Sequence, residues 1–155
     1  MKEDNIAFIL SFLAVHNAGV ICTTDDNSEA YGSVIYFKTD ENLNITFTTK
    51  DKTKKSQNIK NNSKVMLVVF DVEKQTTLQI RGIAEEITDQ QQSEEALNMT
   101  LNASLKATGN TIAPVAKLNA GDFIAYKIKT SSVRMASYSD AEVTDYNERF
   151  ITVEM

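Results

Sequence analysis

The chain has no tryptophan, one cysteine, one histidine, one proline and five glycines among 155 residues. These scarcities close several classes of function. With Cys22 alone there is no internal disulfide framework and no cysteine-built metal site. A single thiol fits a reducing compartment, so the expected location is the cytoplasm. Cys22 itself reads as a small buried apolar residue. A catalytic thiol wants a histidine beside it, and His16 stands six residues away, across Gly19. Basic charge is also short, with 16 Lys and Arg against 21 Asp and Glu, for a net charge of −5. Nucleic-acid binders show a basic face or stripe, so nucleic acid is not an expected partner.

Long apolar runs are missing too. Ile6 to Val15 is too short to span a bilayer, and Met1-Lys2-Glu3-Asp4-Asn5 lacks the basic start of a secretory signal. No membrane partner is expected, and the Asn-x-Ser/Thr sequons at Asn44, Asn61, Asn98 and Asn102 read as chance. There is no internal repeat, low-complexity tract or linker. One domain over residues 1–155 is expected, long enough to bury roughly 70% of the surface its unfolded chain exposes.

What is present is a succession of short β-branched and aromatic runs between polar turns. The pattern predicts a helix over 4–16, with Asp4 or Asn5 as N-cap and Asn17-Ala18-Gly19 as its stop. Strands over 19–24, 30–37 and 44–49 then form a meander with short links. A short helix over 53–62 precedes a strand over 65–71, apolar enough to be buried on both faces. After a tight turn at Glu73-Lys74-Gln75 comes a long strand over 76–88, with Leu78, Ile80 and Gly82 on one face. Asp89 caps a helix over 90–107 whose apolar stripe is Ala96, Leu97, Leu101 and Leu105; its polar face of Gln, Asn and Glu gives it a purely structural reading. Residues 108–119 read as irregular and hold Pro114. A strand over 123–129 follows, with 133–138 as its extension or continuation, and the polar tail from Asp140 holds a last strand over 150–153. The fold class expected is mainly β: a small antiparallel barrel of six or seven strands with peripheral helices.

The segment that asks for a function is Thr53-Lys54-Lys55-Ser56-Gln57-Asn58-Ile59-Lys60-Asn61-Asn62, between the strand Asn44 to Thr49 and the strand Val65 to Phe70. Around it Lys50, Lys52, Lys54, Lys55, Lys60 and Lys64 face a single acid, Asp51, in an otherwise acidic chain. One reading is a solvated helix face. The other is a phosphate cradle, made of a hydroxyl, two adjacent lysines and the N–H groups of a helix start at the mouth of a sheet.

These residues carry a resemblance. The order is helix, strand meander, basic Thr-x-Lys helix, apolar strand and Thr-Leu-x-Ile-x-Gly strand. It resembles the pyridoxamine 5′-phosphate oxidase-like family of FMN-binding split β-barrels, well over residues 5–88 and more loosely over 120–138. Its most specific piece is Phe47-Thr48-Thr49 followed by Thr53-Lys54-Lys55 and then Asn61-Asn62-Ser63-Lys64-Val65, where Ser63 replaces the family's proline. The resemblance implies a homodimer with FMN at the subunit interface. It implies that Thr53, Lys54 and Lys55 hold the flavin phosphate, and that Gly32, Ser33 and Val34 with Thr48 and Thr49 lie against the ring. A polar residue near Thr76 or Thr77 of the partner subunit would complete the site. Gly32 suits close approach of the ring, and backbone N–H groups near Ser33 and Thr49 suit its polar edge. The protein would tune the flavin, which carries the redox chemistry.

The chain also departs from the family pattern. Ser33 stands where many members carry an arginine that reaches the phosphate, which leaves Lys54 to compensate. The C-terminal Arg-x-His-Arg segment and the tryptophans of true pyridoxamine phosphate oxidases are absent, so vitamin B6 oxidation is not expected. Elsewhere, His16 suits a helix C-terminus and is also the only imidazole that could ligate haem. Tyr31 and Tyr36 read as packing residues or flavin contacts. Arg81 reads as a strand residue pairing with Glu85 or Glu86. Arg134 and Met135, near Tyr138, read as interface or substrate contacts. Three functions stay open: an FMN-dependent oxidoreductase of an unidentified small substrate, a flavin-binding protein without turnover, and a fold member that binds haem, a deazaflavin or nothing.

Overall fold

The computed structural model describes residues 2–109, 111–139 and 145–155. Helix α1 (Lys2–Val15) leads into β1 (Ala18–Thr24), β2 (Ala30–Tyr36), β3 (Lys38–Thr39) and β4 (Ile45–Lys50). Helix α2 (Lys54–Asn61), β5 (Lys64–Asp71), β6 (Thr76–Glu86) and helix α3 (Gln90–Thr108) follow. A short helix α4 (Pro114–Lys117), the long strand β7 (Phe123–Ser137), a 3-10 turn (Tyr146–Arg149) and β8 (Phe150–Glu154) complete the chain.

The strands form one antiparallel sheet in the order β2-β1-β5-β6-β7-β4-β3, with β8 on β7. The two ends of that path, β2 and β3, are consecutive in the chain and separated only by Phe37. They are halves of one bent strand: Ala18 to Thr24 of β1 pairs with the first half, and Ile45 and Thr46 of β4 pair with the second. The sheet therefore returns on itself as a split barrel, and with β2 and β3 taken together it has seven strands among the described residues. The expected meander survives only through this bend, because β4 pairs along its length with β7 rather than with β2.

An inward row of Ile21, Leu67, Ile80, Val133 and Val153 crosses five strands in register. All five side chains are buried, each contributing roughly 1.5–3 kcal/mol of apolar burial. Helix α1 closes one flank of this core with Ile9, Phe12 and Leu13.

Several local readings are corrected. Asp4 and Asn5 lie inside α1, which begins at Lys2, so neither caps it. Gly19 does not stop the helix but sits in β1, where a Cβ would lie 2.7 Å from the Val68 carbonyl oxygen. Strand β5 is not buried on both faces: Val65, Leu67 and Val69 point in, while Met66 and Val68 are half-buried and Phe70 is 49% exposed. The buried face of α3 is Ala96, Thr100, Ala103 and Ser104, and Leu105 is exposed. The late strand does continue past Lys129 as read: β7 runs unbroken through 130–132 to Ser137 and pairs with both β6 and β8. Part of the segment read as irregular forms α4. The N-cap at Asp89 is present, its Oδ1 accepting from the Gln92 N–H at 2.9 Å, and the last strand lies at β8 as read. The stretch of tail over 140–144 lies outside the described residues.

The register of β6 shifts between Arg81 and Gly82. A Cβ at Gly82 would collide with the Lys129 carbonyl and come within 2.7 Å of Ile128 Cγ2, so glycine is what lets β6 cross β7 there. Gly82→Ala is expected to lower stability by about 1–3 kcal/mol, the usual cost of overpacking. Urea unfolding followed by circular dichroism checks this, and a variant as stable as the parent contradicts it.

Candidate functional site

Helix α2 is set into the mouth of the barrel by polar contacts that have no freedom to slide. Ser56 Oγ and Tyr126 Oη share a 2.7 Å hydrogen bond, and Asn58 donates to Thr23 Oγ1 at 3.1 Å. Ser56, Asn58 and Ile59 are buried as a result. Burial raises the Tyr126 phenol above its ordinary pKa, partly offset by Ser56, so it stays a neutral hydroxyl that can anchor the helix. Thr53 caps α2, accepting from the Ser56 N–H at 3.4 Å and donating to the Lys50 carbonyl at 2.8 Å.

With the helix so fixed, the lysines separate. Lys52, Lys54, Lys60 and Lys64 are exposed. The Lys54 ammonium stands 4.9 Å from the Tyr31 ring centroid and that of Lys50 stands 3.8 Å from Phe123. Lys55 alone of the helix lysines is drawn inward, into a pocket with Val34, Tyr36, Thr48, Thr49, and Pro114. Burial pushes its ammonium below the ordinary lysine pKa. It has no acidic partner among the described residues. Thr48 Oγ1, in the same pocket, is buried with no hydrogen-bond partner. Lys55 is thus a half-buried cation whose charge the described residues do not compensate.

The sequence-predicted residues therefore divide. Val34, Thr48, Thr49 and Lys55 share the pocket. Gly32 and Ser33 lie two and one residues before Val34 on β2 and do not line it. Thr53 is occupied as a helix cap, and Lys54 as a cation over Tyr31. Thr77 stands on β6 opposite Phe70 and Ala136, away from the pocket. The sequence reading missed Thr100 of α3, whose hydroxyl accepts the Thr48 N–H at 2.9 Å. It also missed Pro114, Val115 and Leu118, which cover the pocket. A clue to Thr100 was its place between Ala96 and Ser104, a polar residue on a face of small ones.

The pocket holds 60 Å³, well below the roughly 300–1,000 Å³ of a small-molecule site. Pro114, Val115 and Leu118 line it and Thr100 has taken the Thr48 amide, so it has no room for a group as large as a flavin ring.

The other singled-out side chains are accounted for. His16 Nδ1 meets the Phe12 carbonyl at 2.9 Å, a helix-end contact as read, and Nε2 meets Asp71 Oδ2 at 2.8 Å. Neither nitrogen is left to ligate haem iron. A backbone bond from Lys74 and the His16 contact hold the Asp71 carboxyl below its ordinary pKa. Glu85 pairs with Lys129 at 3.0 Å rather than with Arg81. Met135 is in the core, so it is not a surface contact. Arg134 lies 3.6 Å from the Phe150 ring centroid, clamping β8. Cys22 is only half-buried, and its thiol pKa is raised by desolvation. Among the described residues no His, Cys, Asp and Glu group forms a metal site, and no helix is long and apolar enough to cross a membrane.

A sequence model of the pyridoxamine 5′-phosphate oxidase family matches residues 7–135. No curated protein matches the chain. Among solved structures, a Clostridium acetobutylicum protein related to general stress protein 26, of the pyridoxinephosphate oxidase family, is similar with TM-score 0.72 and 14% identity, over 100% of this chain and 97% of that one. A pyridoxamine 5′-phosphate oxidase-related, FMN-binding protein of Nostoc punctiforme gives TM-score 0.62 at 10% identity, over 96% and 95% of the two chains. A haem-binding protein of Mycobacterium smegmatis gives TM-score 0.65 at 15% identity, over 92% of this chain and 55% of that one. At such identities the likeness is one of fold.

Because the folded protein disfavours the charged form of Lys55, the unfolded chain binds more protons between the lowered pKa and the ordinary 10.5. Stability rises with pH across that window. Lys55→Met is expected to be more stable than the parent at pH 7, by up to about 1 kcal/mol after solvent screening. The gap should close as pH rises toward 10.5. Thermal unfolding of both proteins across alkaline pH checks this, and a gap that widens with pH contradicts it.

Proposed function

The chain belongs to the pyridoxamine 5′-phosphate oxidase family, and on that premise we propose that it is an FMN-binding homodimer that passes electrons to or from a small organic substrate. The observation that carries this reading is Lys55, a half-buried ammonium without an acidic partner among the described residues, beside the start of α2. A phosphate of about −1.5 to −2 charge compensates that ammonium and meets the first-turn N–H groups of the helix, which have no intrahelical acceptor. Lys54, Lys55 and the α2 start would hold the phosphate. Val34, Thr48 and Thr49, with Gly32 and Ser33 beside them, would face the ring once Pro114, Val115 and Leu118 withdraw. Bound there, FMN supplies hydride chemistry. This chain's own residues bind it, orient it and keep water away.

The dimer has independent support. The outward sides of β2 and β5 and the turn after β5 expose Val34 at 59%, Phe70 at 49% and Val72 at 75%, an apolar surface suited to a second subunit. Thr77, on the strand beside β5, would reach the site from the partner subunit. A free Cys22 is in keeping with the cytoplasm. The haem reading is disfavoured by the engagement of both His16 nitrogens.

The test is the visible absorption spectrum of the purified protein, before and after added FMN. A flavin spectrum released on denaturation is expected, and Lys55→Ala is expected to weaken FMN binding about ten- to a hundredfold, the loss of one charge-assisted contact. A colourless parent that ignores FMN, or a Lys55→Ala variant that binds as tightly, contradicts the proposal.

A further inference from the structure

A second cavity lies on the other side of α3. It has a volume of 360 Å³, within the range of small-molecule sites, and it is distinct from the flavin pocket. Leu10 and Leu13 of α1, Phe37 at the strand bend and Met99 of α3 form its apolar walls. Its charged lining is of one sign, Lys38 and Lys106, with no carboxylate among the described residues. The Lys106 ammonium donates to the Ala14 carbonyl at 2.6 Å, which ties α3 to the end of α1 and leaves its charge uncompensated. Lys38 has no acidic partner among the described residues. Inside, Thr39 Oγ1 is buried and has no hydrogen-bond partner.

An apolar chamber with two lysines and no carboxylate in its lining fits an amphipathic anion, whose body removes apolar wall from water while its charge meets the ammonium groups. We infer that this cavity is a binding site for a small organic carboxylate, with its apolar body between α1 and α3 and its carboxylate at Lys38 and Lys106. The site does not depend on FMN, and its occupant need not react.

Isothermal titration calorimetry with 4-phenylbutyrate and its uncharged amide tests this, on the full chain with and without saturating FMN. The carboxylate is expected to bind at least tenfold more tightly than the amide, equally well with FMN present. Asn102→Trp, at an exposed rim position, and Ala103→Phe, which fills the chamber, are expected to abolish binding. Circular dichroism identifies any variant that fails to fold. Absence of binding by either compound overturns the inference, as does equal binding of the amide or binding that persists in folded Asn102→Trp. Displacement of the carboxylate by FMN also overturns it, since that places the anion at Lys55.

Discussion

Closure of the sheet at Phe37 is the constraint on which the other parts of the structure depend. The Phe37 side chain is 1% exposed and its N–H donates to the Asn17 carbonyl at 3.0 Å. That fixes the point where the strand stops pairing with β1 and begins pairing with β4. Were the bend to slip by one residue, the inward and outward faces of the strand would exchange. Val34 would then point into the core and Ile35 out. The mouth of the barrel, the seat of α2 and the inward position of Lys55 all follow from that register. So does the second cavity, because Phe37 is also one of its walls.

Four buried polar atoms of the described residues lack a hydrogen-bond partner, Thr39 Oγ1, Thr48 Oγ1, Ser104 Oγ and Arg149 Nε. Thr48 belongs to the pocket beneath α4 and Thr39 to the chamber against α1, whereas Ser104 and Arg149 line neither. Helix α3 separates the two cavities, presenting Thr100 to one and Met99 and Ala103 to the other.

Much of this was legible in the sequence. The alternation of β1, β4 and β6 and the cap at Asp89 are local signals, and local chemistry forms them. The family resemblance rests on Phe47 to Val65, the stretch that sets α2 between β4 and β5. What was not legible depends on contacts distant in sequence. The apolar run of β5 does not say whether its outer face meets protein or water. The stripe of leucines on α3 was the wrong face, because β4 accepts the small residues Ala96, Thr100 and Ala103 at close range. The cover over the pocket was invisible, since nothing in Pro114 to Leu118 announces that it packs on Thr48.

The central claim is that a phosphate, rather than the flavin ring, is what Lys55 recognises. FMN and riboflavin differ only in that phosphate, so their relative affinity for the protein is the most direct measurement. The account predicts that FMN binds more than about a hundredfold more tightly, because riboflavin forfeits the charge-assisted contacts to both Lys54 and Lys55 and those to the helix start. Equal affinity would contradict it and leave Lys55 as a half-buried cation with no ligand.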